Sequence, residues 1–149
     1  METHIQFNDY SFKTKEEEGN KLIWDEVRRK YVFLTPEEWV RQHLIHYMVH
    51  QMGYPKTLIA VEKGVDVNGL KRRFDIAVYN TAGTARMIIE CKAPEEPLNE
   101  NVLMQIAAYN LPLKVEYLWV SNGNFNYCCK LGNRVEVLPA LPEWTILNA

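Results

Sequence analysis

Residues 72–92, RRFDIAVYNTAGTARMIIECK, carry the reading of the whole chain. They read as two strands joined by a turn. By the period of two, Asp75 falls on the opposite face of the first strand from Phe74, Ile76 and Val78. In the second strand Ile88, Glu90 and Lys92 share one face, and Met87, Ile89 and Cys91 share the other. Two carboxylates and an ammonium therefore stand at strand ends in an otherwise apolar hairpin. Aspartate and glutamate are poor strand formers, and buried charges need partners. The pattern calls for a role beyond packing.

Phosphodiester hydrolysis suits such a trio. Two carboxylates can hold Mg²⁺ or Mn²⁺ by oxygen ligation and leave room for waters and a substrate phosphate. A lysine two residues after the second carboxylate projects beside it, where it can orient the attacking water or stabilise charge on the phosphate. Glu90-Cys91-Lys92 is the only acid-x-Lys triplet in the chain. An ordinary strand pair with an edge salt bridge is the plainer alternative for the hairpin alone.

Working outward, Thr35-Pro36-Glu37-Glu38 marks a helix start: Thr35 at the N-cap, Pro36 in the first turn, and Glu38 as the capping-box partner. The helix is expected to run to about Met52 and to end at Gly53. Val40, Leu44, Tyr47 and Met48 form its apolar face, and Glu37 projects onto that face while Glu38 does not. His43, His46 and His50 form a stripe away from it. With no acidic or cysteine partner nearby in sequence, surface or partner-facing histidines are the expectation rather than a zinc site. Thr57 to Lys63 reads as the first central strand, which Val65 to Asn68 extend before a turn at Asn68-Gly69. Glu62 in it reads as a partner for a basic residue.

Ala93 to Pro97 stops the motif strand, since prolines cannot extend a ladder. Asn99 caps a second helix to about Leu111, on which Gln105 and Tyr109 share one side. Val115 to Ser121, Phe125 to Leu131 and Val135 to Leu138 read as strands, the first pair joined at Asn122-Gly123. Before the first helix, Ile5 to Phe12 reads as a short edge strand, Lys13 to Lys21 as an exposed turn or loop, and Leu22 to Trp24 as a strand packing on the main sheet. The order of elements predicts an α/β domain with a mixed central sheet flanked by helices. One domain is expected over 1–149, with an N-terminal extension (1–30), a core (31–138) and a tail (139–149) pinned by Trp144.

The run FDIAVYN…MIIECKAP resembles the PD-(D/E)XK nuclease superfamily, and within it the nuclease domain at the N-terminus of type I restriction enzyme R subunits. LTPEEWVRQHLIHYM before the hairpin, and QIAAYN and YLWVSNG after it, match in order. Phe74 stands where the superfamily's name has proline. The resemblance implies a restriction-endonuclease-like αβββαβ core and a Mg²⁺-dependent (or Mn²⁺-dependent) DNA endonuclease. Asp75 and Glu90 would hold the metal and Lys92 would act on the water and phosphate. An acidic residue of the first helix joins the site in this superfamily, here Glu37 with Glu38 as the alternative. QIAAYN matches its Q-x-x-x-Y signature, which makes Gln105 a supporting residue. The R subunit's ATP-driven motor has no counterpart here, since no Walker A sequence is present.

A net charge of −2 is not that of a DNA-coating protein, yet basic residues cluster at Lys71, Arg72 and Arg73, just before Asp75. Phosphate contacts there would serve DNA binding, and a solvated basic turn explains the cluster equally well. A hydrophobic share of 47% with 24% charged residues fits a soluble globular domain. Cys91, Cys128 and Cys129 lack zinc-site spacing, and neighbouring thiols on a strand point apart. Reduced cysteines, the polar Met1–Tyr10 start and the lack of a membrane-length apolar run lead to a cytoplasmic expectation. DNA is the expected partner, with restriction-modification or repair subunits beside it, and oligomeric state left open. The alternative from another class is a non-catalytic nucleic-acid-binding or assembly protein that keeps the fold. No Gly-rich phosphate loop or nucleophile elbow supports a metabolic enzyme.

Overall fold

The computed structural model describes residues 1–67 and 69–149. Three antiparallel strands come first: β1 (Thr14–Glu17), β2 (Asn20–Asp25) and β3 (Lys30–Phe33). β1 lies where an exposed turn or loop was expected. It is fully exposed and is held by pairing to β2 across Glu18-Gly19. Both turn residues have positive φ, 53° and 79°, the geometry that matches strand twist in a two-residue hairpin. The charged TKEE run masked the strand, because its residues have low intrinsic β preference. Leu22 to Trp24 belongs to this sheet and not to the main one. Ile5 to Phe12 forms no strand; ahead of it, Thr3 ties the N-terminus to the core through bonds to Cys128 and Leu138.

Helix α1 (Pro36–His46) begins as read, with the Glu38 N–H donating to Thr35 Oγ1 at 3.0 Å. The reciprocal half of the capping box is missing. The Thr35 N–H donates to the Phe33 carbonyl instead, and the Glu38 carboxylate turns inward onto Arg41. A π-helical turn over Tyr47–Gln51 carries the helix to Met52, and Gly53 leaves it at φ +72°.

Next come β4 (Ile59–Val61) and a separate hairpin of β5 (Gly64–Val67) and β6 (Leu70–Arg73). Val65 to Asn68 therefore does not extend β4: at Glu62, with φ 54°, the chain leaves the main sheet. The expected turn at Asn68-Gly69 falls partly outside the described residues, at Asn68. The motif hairpin is β7 (Ile76–Tyr79) and β8 (Ala85–Cys91), followed by α2 (Glu100–Asn110), β9 (Tyr117–Ser121), β10 (Asn126–Lys130), β11 (Glu136–Val137) and α3 (Trp144–Leu147).

The main sheet has the order β11-β10-β9-β8-β7-β4. Only β8 and β9 run parallel, with α2 as their crossover; the other pairs are antiparallel. This is the mixed α/β architecture that the sequence predicts, and α1-β4-β7-β8-α2-β9 follows the αβββαβ order. Both faces are covered. Val40, Leu44 and Ile45 of α1, with Met48 of the π-helical turn, pack on Ile76, Val78, Met87 and Ile89, while Leu103 and Ala107 of α2 pack on Ala77, Ile88, Leu118 and Val120. Double burial explains why the central strands read as near-continuous apolar runs. Phe74 departs from its expected face: it joins the α2 side with Ala77, because β7 starts only at Ile76 and the chain bends at Asp75.

Cys128 and Cys129 do point apart, one into each core, and all three cysteines are buried free thiols. At the β9–β10 turn, Gly123 has φ +89°, and a Cβ there would stand 3.4 Å from Val40 Cγ2. Glycine is thus required by conformation and close packing together. The tail is held chiefly by buried Leu141 and Leu147, with Trp144 half-buried against the Tyr54 ring. No helix among the described residues is long and apolar enough to cross a membrane.

Candidate active site

Asp75 sits where the β7–β8 ladder opens. Its Oδ2 accepts the Cys91 N–H at 2.7 Å, and its carbonyl accepts the Glu62 N–H at 3.0 Å. That fixes the carboxylate at the strand ends with its side chain 30% exposed. The other oxygen, Oδ1, lies 3.6 Å from Arg41 Nη1, a buried nitrogen with no hydrogen-bond partner. Burial pushes the Asp75 carboxyl above its usual value, against the Cys91 N–H and Arg41, which pull it down.

Glu90 projects from β8 on the α2 side, half-buried. Burial and then the Asp75 charge raise its carboxyl, while Lys92 and the Asn110 amide act against them. Glu37, exposed in the first turn of α1, faces the same place: burial, Asp75 and Glu96 raise its carboxyl, and Arg41 and Lys92 lower it. Asp75, Glu90 and Glu37 thus form one electrostatic cluster. None of the three accepts a hydrogen bond from a cationic side chain among the described residues.

Lys92 is displaced from its expected place. Its ammonium is paired with Glu96 at 3.7 Å and makes no ion pair with Asp75 or Glu90. The cause is the loop that ends β8, in which the Glu96 N–H donates to the Ala93 carbonyl and folds Glu96 back toward the lysine. Its charge still reaches the cluster, since it lowers both Glu90 and Glu37.

Glu38 has a different task from Glu37. It is 5% exposed and is hydrogen-bonded by Arg41 at 2.9 Å from two nitrogens, by Arg28 at 3.0 Å and by Gln42 at 3.0 Å. Burial would raise its carboxyl, but these partners, Arg41 foremost, hold it below the usual value. Arg28 also reaches Asp25 at 2.7 Å and Glu62 at 3.4 Å, and Arg41 reaches Glu62 at 3.3 Å. Glu62 is therefore the partner of basic residues that the sequence suggests, with Arg73 a further one at 3.8 Å. The network runs from the N-terminal sheet through α1 to Asp75. Sequence reading missed Asp25, Arg28, Arg41 and Gln42 as its members; the helical spacings of Glu38 to Arg41 by three and to Gln42 by four were the local signals.

Of the basic cluster, Arg72 is engaged internally. Its guanidinium stacks 3.8 Å over the Tyr109 ring, bonds the Tyr109 carbonyl, and reaches Asn110 Oδ1 at 3.3 Å. Lys71 and Arg73, on the opposite side of β6, are exposed. Gln105 is exposed on α2 and has no hydrogen bond among the described residues. Its motif partner Tyr109 holds Arg72, and the Asn110 amide donates to the Ile106 carbonyl at 2.9 Å.

The two kinds of carboxylate have opposite pH signatures. Asp25 and Glu38, held low, contribute stability that is lost as pH falls through their depressed values. Asp75, Glu90 and Glu37 are held high, so metal-free stability drops as pH rises from the ordinary carboxylate range through their raised values. Asp75→Asn keeps an acceptor for the Cys91 N–H and removes the charge. In EDTA it should melt above the parent at pH 7, with the gap closing near pH ~4. A variant that melts lower at pH 7 would contradict this electrostatic assignment.

Residues 36–142 match the family described as type I restriction enzyme R protein N terminus. The chain belongs to this family. A solved structure from Anabaena variabilis ATCC 29413, a candidate nuclease of the DUF820 group, superposes with a TM-score of 0.50 at 10% identity, covering 91% of this chain and 89% of that one. The likeness shows a shared fold, and with the family match it makes this a restriction-endonuclease-like domain. No curated protein matches the chain.

The sequence resemblance implies Mg²⁺, and the residues present can be tested for their fit to it. The donors at the β7–β8 opening are all carboxylate oxygens, the hard-ligand set that Mg²⁺ prefers. They are not drawn into a closed cage: among the described residues, only Glu26, His46 and His50 gather three donor atoms within 4.8 Å of one another. Mg²⁺ keeps several waters and needs only one or two carboxylates. An open cluster in which Arg41, 3.6 Å from Asp75, is the one ion-pairing cation among the described residues fits it.

Proposed function

We propose that this chain is a metal-dependent deoxyribonuclease domain of the PD-(D/E)XK type, acting on DNA phosphodiester bonds. Asp75 and Glu90 are its metal-holding residues for Mg²⁺ or Mn²⁺, with Glu37 at the rim. The reading rests on one observation. Asp75 is tied to the β8 backbone next to Glu90 through the Cys91 N–H, and neither it, Glu90 nor Glu37 accepts a hydrogen bond from a cationic side chain among the described residues, while Asp25 and Glu38 are hydrogen-bonded by arginine and glutamine.

A bound divalent ion would lower the pKa of a water and polarise the scissile phosphate. The chain's own groups do the rest. The Cys91 N–H fixes Asp75, and Arg41 and Glu38 set its approach to α1. Lys92, once it leaves Glu96, is placed to orient the attacking water or meet developing charge on the phosphate. Lys71 and Arg73 lie on a hairpin beside the site and supply backbone contacts to DNA. In this reading the domain works in the cytoplasm with restriction-modification or repair subunits.

Incubation of untagged protein with supercoiled, linear and single-stranded DNA in Mg²⁺ or Mn²⁺ tests the proposal. The parent should nick or linearise at least one form, and Asp75→Ala should lose that activity. Absence of cleavage on every form, or equal cleavage by Asp75→Ala, would refute it. Retained DNA binding without cleavage would favour the non-catalytic assembly role.

A further inference from the structure

The histidine stripe on α1 has an acidic partner that sequence distance hides. Glu26, in the turn after β2, lies against the far end of the helix. His50 Nε2 is 3.0 and 3.2 Å from its two carboxylate oxygens, and His46 Nε2 is 3.3 Å from Oε2. The two imidazole rings are 4.5 Å apart between centroids. His43 takes no part, because its Nδ1 is turned to the Trp39 carbonyl at 2.8 Å. We propose that Glu26, His46 and His50 form a site for a divalent transition metal, zinc by preference, separate from the carboxylate cluster.

The donor set and spacing carry the argument. Two imidazole nitrogens and a carboxylate suit zinc, cobalt or nickel and do not suit Mg²⁺. With zinc bonds of about 2.0–2.1 Å, the edge of a ligand tetrahedron is about 3.3 Å, close to the separations observed. Three protein ligands would leave one position for water. His46 directly precedes and His50 lies within the π-helical turn Tyr47–Gln51, a rare backbone form found frequently at functional sites. Tyr10 and Phe12 wall His46, with ring centroids 4.6 and 5.0 Å away. His50 is half exposed and gives the ion a way in. Lys56, 3.9 Å from Glu26, is also largely exposed and can swing away.

From Glu38 to His46 is eight residues, about 12 Å along a helix, so the ion would sit well away from the Asp75 cluster. It would staple the β2–β3 turn to the end of α1. That turn also carries Asp25 and Arg28, so the staple would hold the arginine network whose far end is Asp75.

Titration of untagged full-length protein with Co²⁺, followed by its visible absorption and by displacement with Zn²⁺, tests the site. The parent should show one saturable, strongly absorbing site, and Zn²⁺ should raise its melting temperature. His50→Ala, an exposed change with little risk to folding, and Glu26→Gln should each weaken binding by roughly 100-fold or more, at least the loss seen for second-shell partners. Asp75→Ala should leave it intact. No saturable Co²⁺ site in the parent, or unchanged affinity in His50→Ala, would overturn the proposal. Loss of the signal in Asp75→Ala alone would also overturn it, since the ion would then sit at the carboxylates.

Discussion

Lys92→Met is expected to bind DNA and divalent metal like the parent but to cleave more slowly by roughly 10² or more. Methionine keeps the length of the apolar stem and removes only the ammonium. Without metal that ammonium is engaged by Glu96 at 3.7 Å, so the resting protein has little to lose from the change. What disappears is a cation able to reach the water or phosphate beside Glu90. Single-turnover rates at saturating enzyme, with binding measured separately, isolate this effect. Parental rates would remove Lys92 from the mechanism. Equal losses in binding and rate would make it a simple phosphate contact. Glu96→Gln, which frees the lysine, should leave cleavage intact or raise it.

Glu38→Ala should cost about 3 kcal/mol of stability, the range for breaking one partner out of a buried ion pair. Arg41 would lose both of its short bonds, and Arg28 one of its three carboxylates. For a chain of this length that means a melting temperature lower by roughly 10 °C, at about 2–4 °C per kcal/mol. A capping role alone would have predicted about 1 kcal/mol, but the carboxylate is not at the cap. Glu37→Ala, at an exposed position, should leave the melt nearly unchanged and reduce cleavage. Thermal melts paired with nuclease rates for both variants separate the two glutamates. A small loss in Glu38→Ala would mean that the network is not a stability element.

The architecture was legible because the core strands are apolar runs and both long helices carry cap signals, Thr35 and Asn99. The site was legible in part. Local periodicity puts Glu90 and Lys92 on one side of the chain, but it cannot see that β8 ends at Cys91 and that the loop after it brings Glu96 onto Lys92. The helical phase separates Glu37 from Glu38, and Glu38 was misread because a capping box and a buried ion pair share one spacing. Asp25, Arg28 and Glu26 were invisible for a shared reason. They come from the end of β2 and the turn after it, whose docking against α1 depends on tertiary contacts across ten residues or more. The β1 strand was hidden by its charge, and the β5–β6 hairpin by the left-handed Glu62 that separates it from β4.

Anomalous diffraction from crystals soaked in Mn²⁺ tests the central claim most directly, because it locates the ion instead of counting it. The account predicts a peak between Asp75 and Glu90, about 2.1 Å from a carboxylate oxygen of each, present in the parent and absent in Asp75→Ala. A map with no peak there, or with Mn²⁺ only beside His46 and His50, would contradict the assignment of Asp75 and Glu90 as the metal-holding pair.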